Sequence, residues 1–491
     1  MSFIKYLFKF KAAIHAAIVI VLIFTACVSK ISPSDDEEAN AIITVDIDVK
    51  YQYVRGFGGM DVGWGNFPRT NTRDIELMYN PETGLGLNIL RIMIMPWNTD
   101  INITMNQLIN NDRPYYYENV KIVNKYGGYV LASPWSPPKE WKDNNSTHGS
   151  GRLLPEYYQE YADYLKSFAL NMRRNGAPIY AVSIQNEPNY DADYDGCLWS
   201  SEEMRDFFLQ VGRFTEGVRG FGGGRVIQTV NTMNGESANH PNINDAALLN
   251  PQARAVIDII GRHTYGNRQL RYSRALDHPT DPKEVWMTEN NINSGNPEGY
   301  PNDSTWNYVW KLLNDIDLSI RLNHESAYIW WAAKRFYSFI GDGHWGTTEG
   351  EILPRGYAIS HYAKFAKESY HIGTTVSGTT GNGDDIGQGN FNNFLYNADD
   401  TAARATAFVS RDGKTISLVL FTPTLIDGTG GIDMGTIKIQ LPNNFRARSA
   451  TAMRTTQDNY TQWEEVKLCS RRNSALVTLP RGHILSIKFT R

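Results

Sequence analysis

Eight short apolar runs recur between residues 54 and 370 of the 491-residue chain, and longer stretches with helical patterning separate most of them. Near-continuous apolar strands that alternate with helices are typical of a parallel sheet. Eight such repeats over roughly 300 residues predict an α/β fold, a (β/α)8 barrel over residues 54–370. The runs lie at 54–60, 88–94, 129–133, 180–185, 225–230, 257–263, 284–288 and 327–331.

A doubly wound sheet is the alternative architecture, but no glycine-rich phosphate turn follows the first run. Two of the intervening segments, 155–174 and 200–218, are the most helix-like. The second begins with Ser200 and Glu203 at the spacing of a capping box, in which each side chain bonds the other's backbone. We therefore favour the barrel over the doubly wound sheet.

The pattern changes after residue 370. Thr, Ser, Gly and Asn dominate residues 373–403, which predicts turns and loops. Alternating runs then follow, which predict an antiparallel β-sandwich side domain over residues 371–491. We expect an N-terminal strand at residues 42–53 to join this domain. The alternating runs lie at 405–410, 415–421, 435–440, 475–479 and 484–489.

Residues 1–27 have the features of an export signal. Basic Lys5, Lys9 and Lys11 precede an apolar run that ends at Ala26. The small residues before Cys27 resemble a bacterial lipobox, which predicts a lipidated, membrane-anchored protein at the cell surface. An uncleaved membrane anchor and ordinary secretion are the alternatives. Residues 28–41 are polar and acidic, and they predict a short linker.

Composition narrows the class of partner. The net charge of -4 argues against a nucleic-acid partner, which favours a strongly basic domain. The 12 Trp, 27 Tyr and 20 Phe residues suit the apolar faces of sugars, although most can equally be ordinary core and surface residues. Cys197 and Cys469 are the other cysteines, and no disulfide framework or zinc spacing is present. We expect a monomer that acts on a polysaccharide.

Two glutamates stand directly after apolar runs. Glu187 follows the fourth run, and Glu289 follows the seventh. Catalytic residues of such barrels lie at the carboxyl ends of the strands, where a carboxylate is costly unless it is paired or functional. A retaining glycosidase needs two carboxylates roughly 5 Å apart. The sequence therefore predicts a catalytic pair, and the alternative is that these glutamates belong to structural ion pairs.

Several segments, in order along the chain, carry a resemblance to a known family. The Asn-Glu-Pro sequence after the fourth run is similar to the acid/base signature of clan A glycoside hydrolases, and within that clan the chain resembles glycoside hydrolase family 30. The family pairs its barrel with a side β-sandwich, which agrees with the pattern after residue 370. We expect no cofactor. The resembling segments are GFGG at 56–59, SPWSPP at 133–138, QNEP at 185–188, WMTE at 286–289 and YIWWAAKRFY at 328–337.

The resemblance implies a role for each residue of the site. Glu187 is the general acid/base, whose pKa must be raised, and Glu289 is the nucleophile, which must stay ionised. Asn186 would bond the 2-hydroxyl of the sugar, and Tyr265 would donate to the nucleophile. Arg91 would help to hold Glu289 ionised. For Arg91 and Tyr265 the alternative is a purely structural place in the barrel interior.

The segment after the eighth run indicates the sugar. In the glucuronoxylanase subfamily the matching stretch carries Trp, Arg four positions on and Tyr two further, which correspond here to Trp331, Arg335 and Tyr337. The guanidinium would bind the carboxylate of a glucuronate branch through two parallel bonds. Lys334 stands where the subfamily usually has a second Arg. Trp135 would form a wall of the sugar site.

These residues have structural alternatives too: a surface ion pair for Arg335, and packed aromatics for Trp135 and Trp331. The leading prediction is an exported endo-β-1,4-xylanase that cleaves glucuronoxylan under the guidance of its branch. One alternative keeps the chemistry and changes the sugar: a β-1,6-glucanase or galactanase, or a glucosylceramidase-like enzyme. Another is a non-catalytic surface glycan-binding protein, against which the retention of both glutamates argues.

A second pattern follows the Asn-Glu-Pro sequence. Asp191, Asp193, Asp195 and Gly196, with Glu202 at the twelfth position, match the calcium-loop template D-x-D-x-D-G-x5-E. The context differs from an EF-hand, because a strand end rather than a helix precedes the loop. These four carboxylates are therefore candidate ligands of a calcium ion. The alternative is an acidic loop that leads into the helix capped by Ser200.

Overall fold

The structure is a computed structural model, which describes residues 38–491 except 64, 66, 219, 223–224, 228–229, 239–240, 266–277, 279, 386–400 and 470. A closed barrel of eight parallel strands carries a separate nine-stranded mixed sheet at its side. The predicted fold class, a (β/α)8 barrel with a side β-sandwich-like domain, is confirmed. The side sheet has a hydrophobic cluster of its own, and its residues Phe408, Val419 and Phe421 also pack within the core cluster of the barrel.

The barrel strands follow one another around the barrel in chain order. Most of their residues are buried on both faces, as near-continuous apolar runs predict. Their carboxyl ends meet at one mouth, which is where a barrel of this kind carries its active site. The eight strands are Gly56–Met60, Ile89–Ile94, Tyr129–Pro134, Ala181–Ser183, Asn231–Ala238, Ile259–His263, Glu284–Glu289 and Ala327–Trp330.

The fifth barrel strand is not the one that the sequence predicted. The apolar run at 225–230 is not that strand, because Arg225–Ile227 forms a small hairpin with Gly220–Gly222. The fifth strand is the polar segment Asn231–Ala238, which pairs with the fourth and sixth strands. It carries four buried polar side chains: Thr232, Asn234, Glu236 and Ser237. The pattern of apolar runs did not predict this strand, because the strand supplies polar groups to the barrel interior.

The glycines of the first strand are explained by close packing. A Cβ atom on Gly58 would lie 1.8 Å from the carbonyl oxygen of Ile89 on the second strand. A Cβ atom on Gly59 would lie 2.7 Å from the Cβ of Ala333, beyond the eighth strand. The GFGG sequence therefore lets the strands on both sides of the first one approach it.

Helices cover the outside of the barrel. The predicted capping box is present, since Ser200 and Glu203 each bond the other's backbone. The helix that follows ends at Val211 rather than at residue 218, because Gly212 ends it at a φ of 60°. The helices are Thr72–Tyr79, Ile101–Gln107, Tyr116–Lys125, Tyr158–Arg174, Ser201–Val211, Asp245–Leu249, Pro251–Val256, Tyr300–Asp303, Val309–Arg321 and Pro354–Phe365.

The side sheet is assembled from both ends of the described chain, as predicted. Strand Ala41–Val54 lies between Ser369–Gly378 and Thr436–Gln440. The prediction of loops from residue 373 is wrong for the first part of that region, since its Thr and Val residues, which favour strands, pair with Ala41–Asp46. In sheet order the strands are Gln462–Glu465, Ser449–Thr455, Ile484–Thr490, Thr415–Phe421, Arg404–Ser410, Ser369–Gly378, Ala41–Val54, Thr436–Gln440 and Ser474–Thr478.

The predicted export signal at residues 1–27, including Cys27, lies outside the described residues, as does most of the predicted linker at 28–41. Within the described part of the chain, no helix is both long and apolar enough to cross a bilayer. Cys197 and Cys469 are both buried, and neither forms a disulfide.

Candidate active site

Glu187 lies just past the end of the fourth barrel strand, at the mouth. Its backbone has a φ of 46°, in the left-handed region that non-glycine residues seldom adopt. Its amide donates to the carbonyl oxygen of Glu236 on the fifth strand at 2.9 Å. This turn carries the chain out of the barrel wall and brings the Glu187 side chain over the mouth.

Glu289 is the last residue of the seventh strand and faces Glu187 across the mouth. One carboxylate oxygen of each residue lies within 4.8 Å of the other. Carboxyl groups roughly 5–5.5 Å apart belong to retaining glycosidases, whereas inverting enzymes keep about 6.5–9.5 Å between them. The separation therefore leaves no room for a water molecule between a sugar and Glu289, and it suits direct attack by that carboxylate.

Arg91, on the second strand, is fully buried beneath this pair. Its guanidinium donates to Glu289 at 2.5 Å and to the side-chain oxygen of Asn186 at 2.6 Å. It also forms an ion pair with Glu236 at 2.9 Å and lies over the Trp135 ring, 4.7 Å from the ring centre. With its oxygen held by Arg91, Asn186 has its amide NH2 group left to donate to a sugar hydroxyl.

His263 is a residue of the site that sequence reasoning did not single out. It ends the sixth strand, is fully buried, and its Nδ1 atom lies 2.8 Å from a carboxylate oxygen of Glu187. Its Nε2 atom lies 3.9 Å from oxygens of both Glu236 and Glu289. The sequence His263-Thr264-Tyr265 at a strand end could have indicated His263, but the resemblance implied a role in the site only for Tyr265.

Glu236 was missed as well, because it lies on the polar fifth strand. It is fully buried between Arg91 and His263. Burial opposes its ionisation, but the charges of Arg91 and His263 lower the pKa of Glu236 to about 2. Glu236 therefore favours its ionised form, which lies between the two cations of the site.

Two tyrosines donate to the paired glutamates. Tyr265 donates to Glu289 at 3.0 Å, as the resemblance implied. Tyr194 donates to Glu187 at 2.9 Å, a contact that the sequence did not suggest. Each glutamate thus has one phenol and one nitrogen partner: Tyr265 and Arg91 for Glu289, and Tyr194 and His263 for Glu187.

The pKa values of Glu187 and Glu289 differ from those expected of a general acid and a nucleophile. Burial raises the pKa of Glu289, and the charge of Glu187 adds to the rise, against His263 and Arg91. Burial also opposes ionisation of Glu187, yet hydrogen bonds from His263 and Tyr194 lower its pKa. The expectation of a raised pKa at Glu187 is therefore wrong for the unliganded protein, in which the imidazolium of His263 stabilises this carboxylate.

The charge on His263 is set by its carboxylate neighbours. Burial alone would lower its pKa, but Glu289, Glu187 and Glu236 together raise the pKa of His263 to about 9. Three carboxylates thus face two cations, His263 and Arg91. With one acid in excess, the charge of Glu187 lies close to Glu289 and contributes to the raised pKa of Glu289.

The ligand atoms of Glu187, His263 and Glu289 lie within 4.8 Å of one another, as in a metal site. Two observations argue against a metal ion there. The Glu187 oxygen and the His263 nitrogen already bond each other, and the cationic guanidinium of Arg91 occupies the inner side of Glu289. A divalent cation would meet both positive groups at once, so the residues present do not fit one.

Aromatic side chains build one side of the mouth. The rings of Trp135 and Trp331 lie 6.0 Å apart, and Phe67 packs edge-on against Trp331 at 5.4 Å. Tyr337 is nearly buried beside them, and the charges of both Arg335 and Glu289 affect its pKa, which burial raises most strongly. The predicted residues Trp135, Trp331 and Tyr337 are thus brought to the catalytic pair.

Arg335 keeps 18% of its side chain exposed and forms an ion pair with Asp342 at 3.2 Å. Its guanidinium packs over the Phe67 ring, 5.1 Å from the centre. Lys334 does not add its charge to the site. It is buried, with its ammonium 2.8 Å from Asp74, so its charge is balanced inside the protein.

The calcium-loop pattern has a different role in the structure. Within the described ranges, Asp191, Asp193, Asp195 and Glu202 form no cluster whose ligand atoms are close enough for one metal ion. Asp195 pairs with His148 at 2.7 Å. The loop carries Tyr194, which reaches Glu187, so its observed contribution is to the catalytic pair.

Comparison with known proteins indicates the same family as the sequence motifs. Residues 73–307 match the model of the glycosyl hydrolase family 30 TIM-barrel domain. The chain is 29% identical over 368 residues to the glucuronoxylanase XynC of Bacillus subtilis (strain 168), covering 72% of this chain and 76% of that protein. It is 26% identical over 305 residues to the putative glucosylceramidase 2 of Caenorhabditis elegans, covering 56% of this chain and 58% of that protein.

Among solved structures, the fold is similar to that of the family 30 subfamily 8 xylanase Xyn30A from Clostridium acetobutylicum. The TM-score is 0.68 at 22% identity, and the similarity covers 92% of this chain and 100% of that chain. Both the barrel and the side sheet therefore have a counterpart in that structure.

Proposed function

Since the chain carries a family 30 glycosyl hydrolase barrel and is a glycoside hydrolase, we propose that it is a retaining endo-β-1,4-xylanase that cleaves glucuronoxylan. The observation that carries the chemistry is the short separation of Glu187 and Glu289, within 4.8 Å at the mouth. The similarity to a glucuronoxylanase supports the substrate. We propose that the enzyme acts as a monomer.

In the proposed mechanism Glu289 attacks the anomeric carbon and forms a glycosyl-enzyme bond, while Glu187 gives its proton to the leaving oxygen. Glu187 then takes a proton from water, which attacks the same carbon and releases Glu289. Only an ionised Glu289 can attack, so the productive complex is the one in which Glu187 carries the proton. Arg91 and Tyr265 stabilise that state because both donate to Glu289.

Arg335 is the proposed reader of the glucuronate branch. Asp342 and the Phe67 ring fix its guanidinium beside Tyr337, on the side of the mouth that the eighth strand builds. A fixed guanidinium binds a carboxylate with less loss of side-chain freedom than a mobile one. Lys334 is already paired with Asp74, so we propose that one Arg, not two cations, reads the branch.

The substrate is tested by analysis of products. The protein is incubated with glucuronoxylan, plain arabinoxylan, β-1,6-glucan and glucosylceramide, and the products are resolved by mass spectrometry and NMR. We expect cleavage of glucuronoxylan, with one glucuronate at a fixed position in each product. Cleavage of β-1,6-glucan or glucosylceramide in preference would move the chain to another activity of its family.

Arg335→Ala tests the reading of the branch. We expect about a 10–100-fold loss of kcat/KM on glucuronoxylan, because one charge-assisted contact is worth roughly 1.5–3 kcal/mol. Arg335→Lys should recover only part of it, since an ammonium cannot make two parallel bonds. Arg173→Ala, at an exposed helix end, is the matched control. An Arg335→Ala enzyme with full activity on glucuronoxylan would contradict the proposal.

We also propose that the chain is exported and lipidated at Cys27. The basic start, the apolar run and the small residues before Cys27 support this proposal. Metabolic labelling with a fatty acid should mark the full-length chain in a bacterial host and leave Cys27→Ala unlabelled. Equal labelling of both chains would contradict lipidation at this residue.

A further inference from the structure

The segment after the fourth barrel strand places Tyr190 close to Glu187. The two residues are the ends of a tight turn, in which the Tyr190 amide donates to the carbonyl oxygen of Glu187 at 3.0 Å. Asn189 fixes this turn, since its side chain forms two hydrogen bonds with the backbone of Ala238, at 2.7 and 2.8 Å. Tyr190 is nevertheless 50% exposed. Its backbone is therefore held while its side chain stays open to solvent.

Tyr190 also lies beside Tyr194, the phenol that contacts Glu187. The two ring centres are 6.4 Å apart, and the rings are inclined at 32°. Tyr194 donates to one carboxylate oxygen of Glu187 at 2.9 Å, and His263 contacts the other at 2.8 Å. His263 is fully buried, whereas Tyr194 is only partly buried. The side of the Glu187 carboxylate that opens to the cleft is therefore the side of these two residues, which we call the strand-4 tyrosines.

A second loop holds the strand-4 tyrosines from the outside. It follows the third barrel strand, and its Gly149 amide donates to the carbonyl oxygen of Tyr194 at 3.2 Å. In the other direction, the amide of Gly196 donates to the carbonyl oxygen of Thr147 at 3.0 Å. The two loops are thus joined on both sides of Tyr194. A ring that is positioned in advance loses less conformational freedom when a ligand binds.

The strand-4 tyrosines lie across the mouth from Arg335, the proposed reader of the branch. The fourth and eighth strands are four positions apart in the closed ring of eight strands, so they lie on opposite sides of the barrel. Arg335 follows the eighth strand, and the tyrosines follow the fourth. The acid must contact the oxygen that leaves. The part of the glycan that departs therefore lies on the side of Glu187 and the strand-4 tyrosines.

The charges beside the strand-4 tyrosines favour a neutral sugar. Asp191 directly follows Tyr190, Asp193 directly precedes Tyr194, and both aspartates are exposed. Like charges repel, so these two carboxylates disfavour a sugar that itself carries a carboxylate. Arg335, on the opposite side, has the charge that a carboxylate needs. The two sides of the mouth therefore suit different sugars: a charged branch at Arg335 and an unbranched pyranose unit at the tyrosines.

We propose that Tyr190 binds the leaving part of the glycan: the apolar face of an unbranched pyranose unit packs on its ring, with the leaving oxygen at Glu187. The inference rests on the proposed retaining mechanism. In the second half of that mechanism, an acceptor sugar bound on Tyr190 replaces water. A hydroxyl of the acceptor attacks the anomeric carbon, its proton passes to Glu187, and the bond from that carbon to Glu289 breaks.

The test measures how the glycosyl-enzyme divides between water and an acceptor sugar. The donor is a glucuronoxylan oligosaccharide, the acceptor is ¹³C-labelled xylobiose, and mass spectrometry gives the initial ratio of transfer product to hydrolysis product. Both products come from one intermediate, so the ratio depends neither on donor binding nor on the fraction of folded protein. Tyr190→Ala should lower this ratio about tenfold. Tyr190→Phe keeps the ring and should stay close to the wild-type ratio.

Trp463→Ala is the control, because it removes an aromatic side chain that is 59% exposed on the side sheet, and it should leave the ratio unchanged. An unchanged ratio in Tyr190→Ala, or an equal loss in Tyr190→Phe, would overturn the ring contact. Hydrolysis by the wild type with no transfer product, even in excess acceptor, would overturn the binding of a sugar there. Xylobiose with a glucuronate on its nonreducing unit should be the poorer acceptor, and preferred transfer to it would overturn the preference for a neutral sugar.

The proposed function fails separately, if the wild type leaves glucuronoxylan uncleaved. The ratio is then measured with a donor and an acceptor of the glycan that product analysis identifies. The same loss in Tyr190→Ala with that glycan would still support the role of Tyr190, and no loss would overturn it.

Discussion

Two clusters of buried charge, one at the barrel mouth and one beside the side sheet, differ in their ratio of acids to bases. At the mouth, three carboxylates face two cations: Glu187, Glu236 and Glu289 against Arg91 and His263. The surplus of one negative charge contributes to the raised pKa of Glu289, since buried like charges so close together resist ionising at the same time. This region is therefore poised to exchange a proton.

The second region joins helix Val309–Arg321 of the barrel to the side sheet. Here one buried carboxylate, Asp317, is paired with Arg321 at 2.6 Å and with Arg404 at 3.4 Å, and it accepts a hydrogen bond from Thr406 at 2.7 Å. Burial opposes its ionisation, but Arg321 and Arg404 lower the pKa of Asp317. With more cations than acids, this region keeps one protonation state.

The comparison separates two uses of buried charge. Where cations equal or exceed acids, the charges hold two parts of the fold together. Where acids exceed cations at a strand end that opens to solvent, one proton is left to move. The ratio, together with access to a cleft, distinguishes the catalytic cluster from the structural one.

The largest expected effect is on catalysis at the mouth. Glu289→Gln should reduce hydrolysis by at least roughly 10³-fold with the fold intact, because it removes the nucleophile of both chemical steps. Glu289→Gly, which also opens space for a small anion, should recover activity with azide and yield a glycosyl azide of inverted configuration. Glu187→Gly should instead give an azide product of retained configuration. The opposite pair of products, read by NMR, would exchange the two roles.

The second effect concerns stability at the joint. Asp317→Asn leaves Arg321 and Arg404 buried without their counter-charge, which should lower the free energy of unfolding by about 3–5 kcal/mol. Activity per folded molecule should stay close to that of the wild type. Urea unfolding measures the loss, and Asp163→Asn, on an exposed helix face, is the control. An unchanged midpoint would show that the joint does not depend on this charge.

The third effect is the pH dependence of stability. The pKa of His263 is raised from 6.5 to about 9, so its stabilisation is complete below pH 6.5 and is lost as the pH rises through 9. The loss should amount to about 3 kcal/mol in the free energy of unfolding. The pKa of Asp317 is lowered, so its stabilisation is present above its usual pKa of 3.8 and is lost only at lower pH.

The two regions should therefore weaken at opposite ends of the pH scale. Measured between pH 6.5 and 9, the unfolding free energy of His263→Asn should decline less than that of the wild type. A parallel decline in both proteins would assign the alkaline loss to other groups. Asp317→Asn should keep the alkaline decline and lose part of the acid one.

Apolar periodicity was sufficient for much of the fold and for the position of the two glutamates that we propose as the catalytic pair. Glu187 and Glu289 stand out because each comes just after an apolar run of the sequence. Glu236 could not be found in this way, because its own strand, Asn231–Ala238, is polar and lacks that signature. His263 ends an identified strand, but its importance comes from three carboxylates on other strands. Such contacts join residues distant in sequence, and periodicity does not report them.

The same limit applies to Tyr194. It lies in a loop whose acidic residues suggested calcium, yet its hydroxyl contacts Glu187.

The pairing of strand Ala41–Val54 has a consequence for the order of folding. This strand precedes the whole barrel in the sequence, but its partners Ser369–Gly378 and Thr436–Gln440 come after the barrel. During synthesis on a ribosome, the strand must wait without a partner in its sheet until more than 300 further residues have been added. Contacts of such long sequence separation form slowly, so completion of the sheet follows synthesis of the barrel. A chain that stops before residue 369 leaves an unpaired strand, an edge at which nascent chains can aggregate.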